Sequence, residues 1–167
     1  MIRSISITDN ISLISNLWTM EEMRPVFREY LEYVEQFYDI NDVSSWCDRA
    51  MENLSAYAHS EDRRGYVLRL SGTIVGFALV NDHLRFSDKG FSIAEFYIRE
   101  SHGRKGYGRI LATHVFARSP GHWEVAVSAK NHLALTFWEQ VVSSYTGGCF
   151  LRKNIPSFSG TGFLFKK

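Results

Sequence analysis

The segment "HGRKGYGRILATHVF", residues 102–116, decides the fold that we predict for this chain. Gly106 and Gly108 are separated by one residue, and the apolar residues that follow them have the spacing of a helix. Positively charged side chains flank the glycines: Arg104, Lys105 and Arg109. Backbone N–H groups at a helix N-terminus, with cations nearby, favour an anion and above all a phosphate.

Two common phosphate-binding motifs do not fit this loop. The dinucleotide fingerprint GxGxxG requires a third glycine where this chain has Leu111. The P-loop pattern GxxxxGK[ST] is absent from the sequence. The remaining interpretation is a pyrophosphate held by backbone amides and cations without magnesium.

Composition predicts one soluble, cytoplasmic globular domain over residues 1–167. Apolar residues make up 45% and charged residues 22% of the chain, as in ordinary globular proteins. No apolar run reaches the roughly 20 residues of a membrane span, and residues 1–10 do not resemble a signal peptide. The two cysteines, Cys47 and Cys149, are isolated and suit a reducing compartment. We therefore expect no membrane partner.

Charge is distributed unevenly along the chain. Residues 1–64 hold 12 acidic and 6 basic side chains, whereas residues 65–167 hold 6 acidic and 13 basic ones. The formal net charge of +1 excludes an overall nucleic-acid footprint. The asymmetry suits a cationic ligand on the first part and an anionic ligand on the second, or two solvated surfaces without a ligand.

Two helices are predicted near the start of the chain. A capping box of Thr19 and Glu22 begins a helix that runs to about Tyr38, with Pro25 as a kink or late start. A second helix starts at about Asp42. Before them, "IRSISIT" and "SLISNLW" are alternative first strands, between which the pattern does not choose.

The rest of the chain alternates strands and helices. A hairpin at 65–80 and a strand at 92–100 precede the glycine loop and its helix. A strand at 123–129, a helix at 131–144 and two closing strands follow. This order predicts an α/β domain with a mixed sheet and the strand–loop–helix unit at its centre.

The glycine loop resembles motif A of the GNAT superfamily of N-acetyltransferases, Gln/Arg-x-x-Gly-x-Gly/Ala, with Gly106 and Gly108 at the small positions. A second motif of that superfamily, Asn-x-x-Ala-x-x-Phe-(Tyr/Trp), resembles "NHLALTFW", residues 131–138. Together the two cover about residues 93–142. The sequence departs from the family pattern at Gly103, where Gln or Arg is usual, and at Trp138, where many members have a tyrosine that acts as general acid.

The resemblance implies a mixed, mostly antiparallel sheet flanked by helices, with a splayed strand pair holding acetyl-CoA. Amides of Gly103–Gly108 would hold its pyrophosphate, and the pantetheine arm would lie along Phe96 to Ile98. The cofactor-binding residues so implied, with their charged neighbours, are Phe96, Ile98, Gly103, Arg104, Lys105, Gly106, Gly108, Arg109, Asn131, Ala134 and Trp138.

Glu95 is the predicted general base for removing a proton from the acceptor amine. A carboxylate in the middle of an apolar strand is costly unless it is used or paired, and burial raises its pKa towards neutrality. Strand alternation places Ile93, Glu95 and Tyr97 on one face and Ala94, Phe96 and Ile98 on the other. Tyr97 is a further catalytic candidate as proton donor. The alternatives are a Glu95 that pairs with an arginine of the helices or points outward into the acceptor cleft, and a Tyr97 that only packs.

The first two helices would form the acceptor side, as the resemblance implies. Their acids are interleaved with aromatic residues, and Glu29, Glu32 and Tyr33 are the predicted acceptor-binding residues. This pattern favours a small cationic amine, such as a polyamine or an antibiotic, as the partner. The bland alternative is that these aromatics are core and the acids face solvent.

We therefore predict an acetyl-CoA-dependent N-acetyltransferase, acting by direct attack in a ternary complex, as a monomer or homodimer. A protein or peptide acetyltransferase and a catalytically silent acyl-CoA-binding module are the alternatives. No metal site is predicted, because the six histidines share no ligand spacing.

Overall fold

A computed structural model describes residues 5–6 and 12–167 of the chain. In this part of the chain eight strands form one sheet in the order β1-β2-β3-β4-β5-β6-β8-β7. They are β1 Ile5–Ser6, β2 Ser12–Ser15, β3 Arg64–Leu70, β4 Thr73–Asn81, β5 Phe91–Ile98, β6 His122–Ser128, β7 Leu151–Ile155 and β8 Gly160–Lys166. Every neighbouring pair is antiparallel except β5 and β6. The predicted mixed and mostly antiparallel sheet is confirmed.

Four α-helices flank the sheet: α1 Met20–Val34, α2 Val43–His59, α3 Tyr107–Arg118 and α4 His132–Thr146. The predicted capping box begins α1, since the Thr19 N–H donates to Glu22 Oε2 at 2.8 Å and the Glu22 N–H donates to Thr19 Oγ1 at 3.2 Å. The helix ends at Val34, earlier than the predicted Tyr38, and a short 3₁₀ helix, Glu35–Phe37, continues it.

Each of the two segments that were alternative first strands contains a strand. Ile5 and Ser6 of "IRSISIT" pair with Ile14 and Leu13 of "SLISNLW". The second strand then pairs with β3. The other residues of "IRSISIT" lie outside the described part of the chain.

Two apolar cores lie on opposite faces of the sheet. On one face, residues of the central strands pack against α3 and α4, with the fully buried Phe116, Trp123 and Phe163 at the centre. On the other face, Phe77 and Leu79 of β4 pack against Phe27 and neighbouring residues of α1 and α2. Burying a side chain of this size contributes roughly 1.5–3 kcal/mol. The sheet is therefore packed against helices on both faces.

The central strands β5 and β6 separate after a short contact. They pair only from Phe91–Ile93 to Trp123–Val125, while β5 continues to pair with β4 up to Ile98. The same point carries a register shift against β4, where Leu79 faces Glu95, Val80 faces Ile93, and Ala94 has no partner. A bulge of this kind bends a strand and adds one residue to it.

The bulge changes which side chains of β5 share a face. Ile93 packs in the core of α3 and α4, beside Phe96, whereas Ala94 and Tyr97 pack in the core of α1 and α2. The prediction that Ile93 shares a face with Tyr97, and Ala94 with Phe96, is therefore wrong. Strict alternation fails because one inserted residue moves every earlier side chain to the opposite face.

Candidate active site

The gap between β5 and β6 is a cleft of about 650 Å³. Its walls are the separated ends of the two strands, residues 93–98 and 125–128, and one face of α4. The glycine loop and the start of α3 close one side of it. Because neither strand end has a partner across the gap, backbone groups on both walls are open to a ligand.

The N-terminus of α3 points into this cleft without a cap. Gly106 is its N-cap residue, adopts a left-handed conformation with φ of 83°, and offers no side chain to the free N–H groups. The first N–H groups of a helix have no partner within it, and they carry the positive end of the helix dipole. Gly106, Tyr107, Gly108 and Arg109 all line the cleft. This end of the cleft therefore suits an anion.

The charged side chains of the loop differ in position. Arg104 and Arg109 line the cleft, and Arg104 has a positive φ of 58°, a conformation that non-glycine residues adopt at a cost. Lys105 does not line it; the Lys105 Nζ donates to the Ser101 carbonyl at 3.4 Å. Gly103 lines the cleft and ends a short 3₁₀ helix. Two of the three predicted cations are thus brought to the site.

Aromatic residues of β5 and α4 build the apolar wall. The Phe96 ring lies 4.8 Å from the Trp138 ring and 5.6 Å from the Phe137 ring, between centroids. Ile98 and Ala134 line the cleft with them. Trp138 is buried and makes only packing contacts, as expected for an indole at this position.

Asn131 fixes the start of α4. Its Oδ1 accepts a hydrogen bond from the Ala134 N–H at 3.0 Å, which makes it the N-cap of the helix. Asn131 is 9% exposed and also lines the cleft. Because this hydrogen bond joins the Asn and Ala positions of the second predicted motif, the motif forms the capped first turn of α4.

Glu95 lies between this cleft and a second cavity, because its side chain lines both. The Tyr30 hydroxyl of α1 donates a hydrogen bond to Glu95 Oε2. Burial raises the pKa of Glu95 to about 7, against the opposing effect of the Tyr30 hydrogen bond. A carboxyl group with that pKa is well placed to accept a proton near neutral pH.

Replacing Glu95 by glutamine is expected to stabilise the fold at pH 8 by roughly 3 kcal/mol and to have little effect at pH 4. The pKa of the carboxyl is about 7 in the folded chain and near 4.5 when free. The unfolded chain thus loses its proton first, and wild-type stability falls as the pH rises through this interval. Urea unfolding of both proteins at the two pH values measures the difference. An equal difference at both would contradict the raised pKa.

Tyr97 is buried beside two further tyrosines. Its ring lies 5.8 Å from the Tyr30 ring and 5.9 Å from the Tyr33 ring, and all three side chains line the cleft. Burial raises the pKa of the Tyr97 hydroxyl, so it keeps its proton at neutral pH. Glu95 and Tyr97 therefore both border the gap, and Tyr33, a predicted acceptor-binding residue, joins them.

The acids of the first helix lie elsewhere. The Glu29 carboxylate accepts hydrogen bonds from the Arg99 guanidinium, including one from Nε at 2.9 Å. Glu32 is exposed, and together with Glu35 it lies near Cys47, whose thiol pKa is raised by burial and then by these carboxylates. Neither Glu29 nor Glu32 lines the cleft or the second cavity.

The second cavity has about the same volume, 650 Å³, and lies between the sheet and helices α1 and α2. Tyr30, Tyr38 and Ala94 line it as well as the cleft, so the two spaces meet at Glu95. Tyr57 lines it too, and the Asn81 Nδ2 donates to the Tyr57 hydroxyl at 2.9 Å. An acceptor in this cavity would approach Glu95 from the side opposite to the glycine loop.

Sequence reasoning counted Tyr30 among the aromatic residues of the acceptor side without linking it to Glu95, and it missed the loop residues of the second cavity. Tyr30 follows the apolar face of α1 with Met23, Phe27 and Val34, so its position indicates core packing. A buried tyrosine needs a partner for its hydroxyl, and that rule is the one signal that could have marked it. The partner itself, Glu95, is 65 positions away in sequence.

No group of three or more metal-ligating side chains occurs within the described residues. None of the helices described here is long and apolar enough to cross a membrane.

The sequence profile of the acetyltransferase (GNAT) family matches residues 20–142. The chain therefore belongs to the GNAT family of acetyltransferases, as the glycine loop predicted. No curated protein sequence matches the chain.

Solved structures of GNAT enzymes share this fold. An N-acetyltransferase (PaiA) from Thermoplasma acidophilum, in complex with coenzyme A, has 13% identity over 93% of this chain and 99% of its own, with a TM-score of 0.65. A spermidine N-acetyltransferase from Vibrio cholerae, with CoA and spermine, has 12% identity over 95% and 96%, with a TM-score of 0.65. RimL, an acetyltransferase for ribosomal protein L7/L12, has 9% identity over 100% and 96%, with a TM-score of 0.65. At these identities the likeness concerns the fold.

Proposed function

We propose that this GNAT acetyltransferase moves the acetyl group of acetyl-CoA to a primary amine in a ternary complex, with Glu95 as the general base. The observation that carries the proposal is the position of Glu95, where the cleft beside the glycine loop meets a second cavity. A donor in one space and an acceptor in the other would meet beside a carboxyl group whose pKa is about 7.

The residues of the cleft fit acetyl-CoA. The uncapped start of α3, with Arg104 and Arg109 beside it, suits the pyrophosphate. The open edge of β5 suits the amide-bearing pantetheine arm, because backbone groups of Phe96 to Ile98 would otherwise face an empty gap. Ala134 and Trp138 complete the wall, and Asn131 holds the start of α4. Lys105, which points away, would act only through its charge.

The protein must remove a proton from the amine and stabilise charge on the carbonyl oxygen. Acetyl-CoA supplies the activated thioester for this acyl transfer. Glu95 takes the proton from the ammonium form of the acceptor, directly or through one water molecule. A backbone N–H of β5 near Tyr97, on the strand edge that faces the gap, is the donor that we assign to the oxyanion. Tyr97, which keeps its proton, can return one to the thiolate.

The acceptor lies in the second cavity, with Tyr30 and Tyr38 at its junction with the cleft and Tyr33 on the cleft side. The volume of this cavity, about 650 Å³, supports a small molecule over an extended peptide, which would need a long groove. Glu29 and Glu32 remain predictions as acceptor-binding residues. Glu29 is paired with Arg99, and Glu32 is exposed.

The test is release of free CoA thiol from acetyl-CoA in the presence of a panel of amines. The panel contains amino acids, polyamines, aminoglycosides, amino phosphates and lysine peptides. Release with one small amine class supports the proposal, and release with lysine peptides alone would favour a protein acceptor. Tight acetyl-CoA binding without release for any amine would favour a silent binding module.

Replacing Tyr30 by phenylalanine is expected to move the acidic limb of the activity profile to higher pH. The Tyr30 hydroxyl lowers the pKa of Glu95 by stabilising its ionised form, so without it the base stays protonated at a higher pH. Activity then falls severalfold at pH 7 and recovers by pH 9. The measurement is kcat/KM between pH 5.5 and 9.5, with Tyr66→Phe as control, since Tyr66 is a buried tyrosine that lines neither cavity. An unchanged midpoint would contradict the assigned role of Tyr30.

A further inference from the structure

The charges that line the second cavity are mainly positive. Three arginines, Arg49, Arg63 and Arg85, and one histidine, His83, face a single carboxyl group, that of Glu95. The acids of α1 led us to expect a negatively charged acceptor site, but none of them lines the cavity, and positive side chains predominate there. A cationic acceptor would meet like charges there, which disfavours binding.

The three guanidinium groups come from different elements outside β5. Arg49 lies on α2, Arg63 in the loop before β3, and Arg85 in the loop between β4 and β5. They thus converge on the cavity from several directions, whereas Glu95 borders it from the sheet. Such an arrangement separates an anion-binding part of the cavity from the part that holds the base.

The arginines are held in place by neutral partners. Arg63 lies over the Tyr57 ring at 5.6 Å and Arg85 over the Phe158 ring at 5.0 Å, from guanidinium carbon to centroid. Arg49 Nη1 donates to Ser45 Oγ at 2.6 Å. These contacts favour one orientation of each side chain without neutralising its charge, and Arg49 and Arg85 remain exposed to solvent.

Within the described residues, none of these three arginines forms an ion pair with a carboxylate. Arginines elsewhere in the chain do: Arg69 with Glu22, Arg99 with Glu29, and Arg152 with Glu139. The Glu124 carboxylate accepts hydrogen bonds from the backbone N–H groups of Arg85 and Phe86, at 2.7 and 2.9 Å, but it does not line the cavity and forms no ion pair with the Arg85 guanidinium. Unpaired guanidinium groups around one cavity suit a carboxylate or phosphate, which they bind through paired N–H donors.

We infer that the acceptor is a small primary amine that also carries an anionic group, a carboxylate or a phosphate, bound by Arg63 and Arg85 with Arg49 nearby. The inference rests on the proposed function and names its acceptor class. The amine lies at Glu95 and the anion among the arginines. This replaces the cationic acceptor that the sequence favoured.

The test uses pairs of amines that differ only in the anion. O-phosphoethanolamine is compared with ethanolamine, β-alanine with β-alaninamide, and spermidine serves as the cationic probe. We expect kcat/KM to favour the anionic member of one pair by at least roughly tenfold, because a hydrogen bond to a charged group contributes that much. The pair that shows the preference distinguishes phosphate from carboxylate.

Variants test the arginines directly. Arg85→Gln and Arg63→Gln should each lower kcat/KM for the anionic amine by roughly 10–100-fold. For the congener that lacks the anion, kcat/KM should stay within about threefold of the wild-type value. Arg28→Gln is the matched control, because Arg28 is exposed on α1 and lines neither cavity. A preference for spermidine or ethanolamine, unchanged in the variants, would overturn the inference.

A calorimetric titration separates this inference from the proposed function. O-phosphoethanolamine and β-alanine are titrated into the protein with CoA present. Binding that Arg85→Gln abolishes supports the inference even if no acetyl transfer is detected, in which case the proposed function fails alone. Transfer only to amines that lack an anionic group, without binding of either anionic amine, overturns the inference while the proposed function stands.

Discussion

Glu95→Gln is expected to lower kcat by roughly 10²–10⁴-fold while acetyl-CoA binds as in the wild type. Glutamine has the shape of the carboxyl group and keeps an oxygen that accepts the Tyr30 hydroxyl, but it cannot take a proton from the acceptor. The side chain borders the cleft beside β5 and not the glycine loop, so donor affinity has no reason to change. A loss of rate without a loss of donor binding would identify the base.

The pH profile provides a second readout of the same residue. Wild-type kcat/KM should fall about tenfold per pH unit below the Glu95 pKa of about 7, since only the ionised form accepts the proton. The residual activity of the variant should lack this step. Glu21→Gln is the matched control and should behave as the wild type, because Glu21 is an exposed acid on α1 that lines neither cavity. Full activity of Glu95→Gln at pH 8 with the best acceptor would rule out Glu95 as the base.

Gly108→Leu is expected to weaken acetyl-CoA binding by roughly 10–100-fold, the value of one or two hydrogen bonds to a charged group. A Cβ at this position would lie 2.9 Å from Phe137 Cε2, a separation that forces a shift, and 3.1 Å from Phe137 Cζ, which is a tight contact. Phe137 packs against Phe96 and Trp138, so moving its ring would disturb the apolar wall of the cleft. The start of α3 must then shift, and its N–H groups no longer point at the anion.

Calorimetric titration with acetyl-CoA measures this effect, and thermal unfolding shows whether the fold survives. Ala117→Leu is the control, because Ala117 is exposed near the other end of the same helix and its replacement adds a similar apolar side chain. Wild-type affinity of Gly108→Leu, with an unchanged melting temperature, would exclude the start of α3 as the anion site.

Local patterns predicted the parts of the site that are built from neighbouring residues. The glycine loop, the Asn131 cap and the Thr19–Glu22 capping box each depend on residues within three or four positions of one another. The separation of β5 from β6 followed from the family resemblance and is confirmed by the pairing. Short-range geometry and a family pattern therefore accounted for the cleft.

Contacts between distant segments were not predictable. The bulge at Ala94 depends on the register of β4, which no spacing within β5 reveals. The acids of α1 indicated a cationic ligand because a sequence shows charge but not direction; Glu29 instead meets Arg99, 70 positions away. Arg63 and Arg85 reach one cavity from two loops, and nothing in either loop alone marks a site.

The short contact between β5 and β6 has a mechanical consequence. It joins the strands β1–β5 to the strands β6–β8 through only three residue pairs, and the remaining length of this seam is open. A ligand in the gap would contact both parts of the sheet and so link them. Its binding free energy is then added to the cohesion of the whole domain. Without a ligand, three residue pairs connect the two parts of the sheet along this seam, and a bound ligand adds contacts along the rest of it.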